Sequence, residues 1–163
     1  MKLLQVVPFF LLSFTITAAI AQIPFDKARF YLSIEGTDTA KINEEIRIVN
    51  ASSIKEKKAY SGALLMRKAG LVKSPPQKLN LFKSGHKKLE AAIKETDGDA
   101  EFYFLRLMIQ ENAPGILGYK SDTGKDSEII KKNFKDLEPV VRHAIANYSK
   151  KSKILKPEDF NPE

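Results

Sequence analysis

Residues 81–104, LFKSGHKKLEAAIKETDGDAEFYF, decide the fold. Their apolar residues recur at spacings of three and four, the period of a helix with one buried side, and do not alternate as a strand would. The spacing predicts a helix from about Gln77 to Glu95, with Leu79, Phe82, Leu89 and Ile93 along one face. Gly85 and Ala92 are small residues inside it. Glycine in a helix interior costs about 1 kcal/mol relative to alanine. Its presence points to close approach by a neighbouring helix, with a tolerated defect as the alternative. Thr96-Asp97-Gly98-Asp99 reads as a turn, and Asp99 can cap the next helix. That helix, Ala100 to Asn112, carries Phe102, Phe104, Leu105, Leu107, Met108 and Ile109 around most of its circumference, so it is expected at the centre.

The same period runs outward in both directions. Pro24 to Ile34 reads as a first helix with Phe25, Ala28 and Leu32 on one face, stopped by Gly36-Thr37-Asp38. Asp38 or Thr39 can cap a second, to about Val49, with Ile42, Ile46 and Val49 as its stripe. Ser53-Ile54-Lys55-Glu56 has the capping-box pattern S-x-x-E and is expected to open a third helix. This one contains Ala59, Tyr60, Ala63, Leu64 and Met66, and Gly70 is expected to end it in a left-handed conformation. Pro75-Pro76 breaks the chain, the second proline suiting the first turn of the helix that follows. Ala113-Pro114-Gly115 ends the central helix, and residues 118–125 read as a loop. A sixth helix is expected over about Ser127 to Leu137, burying Ile130, Phe134 and Leu137. A seventh starts at Pro139 with Val140, Val141, Ala144, Ile145 and Tyr148. The polar tail 151–163, with Pro157 and Pro162, is expected to be flexible. Residues 22–150 thus read as a single all-α domain, an array of about six to seven antiparallel helices.

Composition narrows the chemistry. The 163 residues include no cysteine, no tryptophan and two histidines. Disulfides, thiolate zinc sites and cysteine nucleophiles are excluded. The N-terminus reads as an address: Met1-Lys2, the apolar run Val6 to Phe14, then Ala19-Ile20-Ala21, the small-x-small pattern of a signal-peptidase site. A cleaved signal peptide over residues 1–21 is expected, hence a periplasmic or secreted protein. An uncleaved anchor is the alternative, but the run is short for a hydrocarbon core of ~30 Å. No second apolar stretch of ~20 residues follows, so no transmembrane segment is expected in the mature chain. Export without cysteine suits a bacterial periplasm better than a disulfide-rich extracellular setting.

The residues also carry a family likeness. Gly85, Leu89 and Ala92, the turn near Asp97 and the aromatic Tyr103 follow the spacing of one tetratricopeptide-repeat hairpin, and Tyr60-Ser61-Gly62-Ala63-Leu64 resembles part of a preceding first helix. The inter-helix loop is longer than in that family: Gly62 and Gly85 lie 23 apart, against about twelve for the corresponding small positions there. Asp97 stands in place of the turn proline. The chain therefore resembles a degenerate tetratricopeptide-like hairpin array over about residues 53–112. The segment from Ala59 to Tyr119 (AYSGALLMRKAGL, LFKSGHKKLEAAI, EFYFLRLMIQENAP, LGY) is also similar to a group of small exported Bacteroidetes proteins. The first likeness implies a non-enzymatic protein- or peptide-interaction module with a groove between hairpins. The second implies export and supplies no chemistry.

Candidate sites are few. Tyr103, Arg106 and Gln110 form one polar stripe on the apolar central helix. Arg106 either lines a groove for an anionic or peptide ligand, or pairs with a carboxylate inside the fold, since an unpaired buried charge is costly. Residues 53–94 hold 11 Lys or Arg against two acids. Lys57, Lys58, Lys83, Lys87 and Lys88 are candidates for contact with anionic polymer or lipid headgroups, the alternative being a solvated surface. Nucleic acid is not an expected partner, because the basic residues are nearly all lysine and the chain reads as exported. His86 and Glu90 share a helix face but make only two ligands, so an ion pair is expected and no metal. His143, four residues before Asn147, has no nucleophile elbow near it. Adjacent Glu44 and Glu45 diverge on a helix and cannot straddle one bond. Asn50-Ala51-Ser52 and Asn147-Tyr148-Ser149 match a glycosylation pattern that carries little weight alone. No phosphate loop, H-E-x-x-H or G-x-S-x-G occurs, and no cofactor is expected.

Overall fold

The computed structural model describes residues 23–96 and 98–160. The expected signal peptide, 1–21, lies outside the described residues. The described chain is all-α, with seven helices and no strand: α1 (Lys27–Glu35), α2 (Thr39–Ala51), α3 (Lys57–Leu71), α4 (Pro75–Glu95), α5 (Ala100–Asn112), α6 (Thr123–Asn133) and α7 (Pro139–Ser149). Short 3-10 turns occupy Gly115–Leu117, Phe134–Asp136 and Pro157–Phe160. None of these helices is long and apolar enough to cross a membrane.

Side-chain caps fix the helix starts that sequence marked best. Asp38 accepts from the amides of Ala40 and Lys41, and Asp99 from that of Glu101. Each such cap contributes about 1 kcal/mol by satisfying amides that have no intrahelical partner. Five boundaries differ from expectation. Helix α1 starts at Lys27 behind the Asp26 cap rather than at Pro24, and of the expected stripe Ala28 and Leu32 face solvent, Leu32 77% exposed, while Phe30, Tyr31 and Ile34 are buried. The Ser53–Glu56 capping box does not form: Lys57 N–H closes a turn onto the Ile54 carbonyl, and Glu56 stands at the helix start with no side-chain cap. Gly70 does not end α3, which continues to Leu71 and stops where Val72 turns extended. Among the described residues the positive-φ glycines are Gly98 and Gly118. Pro75 joins Pro76 in the first turn of α4, where neither lacks a bond it would otherwise make. Finally α6 starts at Thr123, inside the expected loop, and tightens into a 3-10 turn at Phe134. Pro139 holds Glu138 extended (ψ 145°), so the helix cannot run through.

The closest packing is α3 on α4. A Cβ on Gly62 would lie 2.8 Å from the Gly85 carbonyl oxygen and 2.8 Å from the Leu89 nitrogen. One on Gly85 would lie 2.5 Å from the Gly62 oxygen and 2.6 Å from Met66 Cγ. The two glycines therefore let two backbones touch, as the mid-helix Gly85 suggested. Helix α5 runs through the core with Phe104, Leu105 and Leu107 fully buried. Beside it, Phe25, Phe30, Tyr31, Tyr60 and Phe102 pack ring on ring. Glu101 sits among them: both Tyr31 and Tyr60 hydroxyls donate to its Oε1, at 2.8 and 2.7 Å, and Lys27 reaches Oε2 at 3.1 Å.

The tail corrects the expectation of a loose end. Leu155 is fully buried, and Phe160 packs on Phe134 with ring centroids 4.9 Å apart. Glu111 anchors the turn by accepting from Ser152 Oγ and the Lys153 amide, both at 2.7 Å. Lys150 to Lys153 looked like a polar end. The apolar residues that hold the tail come after it.

Candidate functional site

The stripe Tyr103, Arg106, Gln110 does not line an open groove. Gln110 is fully buried and Arg106 is 7% exposed; Tyr103 alone is partly exposed. The reason is a carboxylate on α6 that the linear sequence left unpaired. Arg106 donates twice to Asp126, from Nε at 2.8 Å and Nη2 at 2.6 Å, and from Nη1 to Glu90 at 2.8 Å. The Tyr119 hydroxyl donates to the other Glu90 oxygen at 2.5 Å, and the Tyr103 ring lies 5.2 Å from the guanidinium. Burial raises the pKa of Asp126, with Arg106 pulling against it. Burial works to lower that of Arg106, but its bonds to Asp126 and Glu90 push it above the usual value. The cluster is an internal tie between α4, α5, the loop at Tyr119 and α6, one of the two readings the sequence left open. The amide of Gln110 has no hydrogen-bond partner among the described residues.

The other candidates separate in space. His86 packs against Phe82 and Tyr119, with Nε2 4.0 Å from Glu90, whose oxygens already serve Arg106 and Tyr119. His143 contacts Asn147 on the exposed face of α7. Glu44 pairs with Arg47 outside while Glu45 turns inward to Arg29 at 2.8 Å, so the two carboxylates do diverge. Of the lysines, Lys58 is tied to Glu95 at 2.6 Å, and Lys88 points to Ser61 Oγ at 3.4 Å. Lys57, Lys83 and Lys87 form no ion pair among the described residues. Lys83 and Lys87 are exposed one turn apart on α4.

The concave feature lies elsewhere. A cavity of about 540 Å³ opens where the end of α3 and the start of α4 meet the ends of α1, α5 and α7. Ile34, Met66, Ala69, Phe82, Met108 and Ile109 form its apolar lining. Leu79 and Leu117 stand at its lip, 45% and 39% exposed. Large apolar side chains left this wet beside a cavity are what a binding surface shows and a closed core does not. Polar groups sit around the edge: Glu35, Arg67, Lys78, Asn112, Tyr148 and Lys151. Burial raises the Tyr148 pKa above its ordinary value.

Met66, Leu79, Phe82, Met108 and Ile109 all read as core residues in the sequence, where nothing marks this opening. The cavity assembles helix ends far apart in the chain, which no local period encodes. The one available signal was Leu79, which falls on the exposed first turns of α4 rather than in its packed half. Comparison with family models, with curated proteins and with solved structures finds no match, so the site is read from its own residues.

Proposed function

We propose that this chain is a non-enzymatic binding protein of the cell envelope, a protein- or peptide-interaction module with tetratricopeptide-like hairpins. It holds apolar side chains of its partner in the cavity between α3, α4 and α5. The observation that carries this reading is the open, apolar-lined cavity with Leu79 and Leu117 exposed at its lip. Its size falls within the range of about 300–1,000 Å³ usual for ligand sites, room for one or two large side chains. This reading puts the groove on a different part of the molecule from Tyr103, Arg106 and Gln110. A second reading, an envelope binder of anionic polymer or lipid headgroups, draws on Lys83 and Lys87, exposed and without an ion pair among the described residues.

Site-specific photo-crosslinking in the native envelope tests the choice. A photoreactive residue replacing Leu79 or Leu117 is expected to capture a discrete partner, while one replacing Tyr103 or Lys87 is not. Capture confined to the Lys87 position would contradict the cavity reading and favour the second.

A further inference from the structure

The lip of the cavity carries charge of mainly one sign. Arg67, Lys78 and Lys151 stand there against the single carboxylate of Glu35. Lys151 pairs with Glu35. Arg67 donates Nε to the carbonyl of Gly36 at 3.1 Å, and Nη2 to the carbonyls of Gly36 and Glu35 at 2.7 and 3.4 Å. It thereby caps α1, but its bonds are to neutral atoms, and no carboxylate is paired with it among the described residues. A half-buried cation so placed gains from an added anion. Lys78, on the first turn of α4, forms no ion pair among the described residues at all. Helix carbonyl ends around the cavity supply some negative field. Arg67 meets that of α1 and Lys151 lies beyond that of α7, while those of α3 and α5 have no cation of the lip bonded to them among the described residues; Lys78 adds its charge at the N-terminal start of α4.

The wider surface points the same way. Residues 53–94 hold 11 basic residues and two acids, and one of those acids, Glu90, turns inward to Arg106 and Tyr119. Lys73, Lys83, Lys87 and Lys94 are exposed with no ion pair among the described residues. The α3–α4 hairpin therefore carries an excess of positive charge, and of its lysines Lys78 stands at the cavity itself.

The shape of the mouth separates peptide from acyl chain. Leu79, Leu117 and Asn112 at the edge are all exposed, so the part of a ligand that lies along this edge stays in water. A peptide inserts side chains and leaves its backbone at the surface. Asn112 commits Nδ2 to the Met108 carbonyl and the Tyr148 hydroxyl, leaving Oδ1 to accept a peptide N–H.

Resting on the proposed cavity reading, we infer that the partner is an acidic peptide segment with one or two large apolar anchors. The anchors enter between Met66, Phe82 and Met108. The flanking carboxylates meet Lys78 and Arg67 and are drawn in by the lysines of α4.

The test uses the whole chain and short fluorescent peptides, read by anisotropy. One peptide has adjacent Leu and Phe flanked by glutamates. A second has the same anchors flanked by lysines, and a third keeps the glutamates with alanines in place of the anchors. The first is expected to bind, and reversal of its flanks to weaken binding at least about tenfold in low salt. That gap should narrow once screening shortens to about 10 Å near 0.1 M salt. Lys78→Glu, at an exposed position that leaves folding intact, should weaken the first peptide and strengthen the second. Leu79→Ser with Leu117→Ser should weaken the first. If anchored peptides bind regardless of flank charge yet need Leu79 and Leu117, the acidic partner is wrong and the cavity reading stands. If the anchorless acidic peptide binds as well as the first, or no peptide binds while dodecanoate does, both this inference and the peptide reading of the cavity fail.

Discussion

Replacing Gly85 with alanine sets two effects of opposite sign against each other. Helix propensity favours alanine by about 1 kcal/mol. Packing opposes it. The new methyl would sit 2.5 Å from the Gly62 carbonyl oxygen, 2.9 Å from the Met66 nitrogen and 2.6 Å from Met66 Cγ. Two of these are backbone atoms that no rotamer change can move, so α3 and α4 must separate. Overpacking of this kind costs about 1–3 kcal/mol, and backbone contacts place it at the upper end. The net expectation is a loss of about 2 kcal/mol. Gly62→Ala should behave alike, and the double variant should lose less than the two losses combined, because one separation relieves both clashes. Gly70→Ala is the control. It lies in α3 with Gly62, no heavy atom comes within 4 Å of its added Cβ, and it should gain up to about 1 kcal/mol. Urea unfolding followed by circular dichroism reads all four, and a 2 kcal/mol loss moves the midpoint by about 1 M. Gly85→Ala as stable as the parent, with Gly70→Ala gaining as expected, would refute the close crossing. Because Met66 also lines the cavity, a true crossing further requires Gly85→Ala to weaken any cavity ligand.

Arg106→Ala should destabilise by about 3–5 kcal/mol, because Asp126 is left buried without its partner. Adding Asp126→Asn should restore part of that loss in the same unfolding assay, and full additivity of the two changes would count against the tie. Gln110→Met should stabilise by about 1 kcal/mol, since the buried amide it removes has no protein partner; a loss of stability would contradict this. Burial raises the Glu101 carboxyl above its ordinary 4.5, against the opposing pull of Lys27 and the two tyrosines. Above the ordinary value the folded state then holds a proton the unfolded chain has lost, so this group's contribution falls as pH rises through that window. Glu101→Gln should therefore gain on the parent as pH rises above the ordinary carboxyl value in a series of urea titrations, and parallel pH profiles would sink the idea. Leu155→Ala should cost about 2–5 kcal/mol if the tail belongs to the core, and a change below about 0.5 kcal/mol would mean it does not.

The helices were legible because their signals are local. Asp38, Asp99 and Pro139 mark starts through side-chain caps and ring geometry. The period of three and four marks the buried face of α2, α3 and α7 but not that of α1, where Leu32 is 77% exposed and Phe30, Tyr31 and Ile34 are buried instead. Gly85 announced a close neighbour, though not which one. Signals that depended on choosing between local options misled. The S-x-x-E pattern at Ser53 lost to a turn closed by Lys57, and Gly70 remained helical because nothing there demands a left-handed residue. What was not legible needs contacts across the chain. Arg106 finds Asp126 twenty residues away, and its identity alone could not separate an internal pair from a ligand contact. The cavity draws Ile34, Met66, Phe82 and Met108 from four different helices. Met66, Phe82 and Met108 each read as an ordinary core residue in their own segments, and Ile34 as no more than the end of the first helix.

Methyl resonances test the binding role of the cavity most directly. The chain has three methionines, and two of them, Met66 and Met108, line the cavity. Labelling the methionine methyls with carbon-13 and titrating the glutamate-flanked Leu-Phe peptide should shift both signals together, saturably, and not in Leu79→Ser with Leu117→Ser. Binding detected by anisotropy that leaves Met66 and Met108 unmoved would place the partner elsewhere on the molecule and contradict the cavity as the functional site.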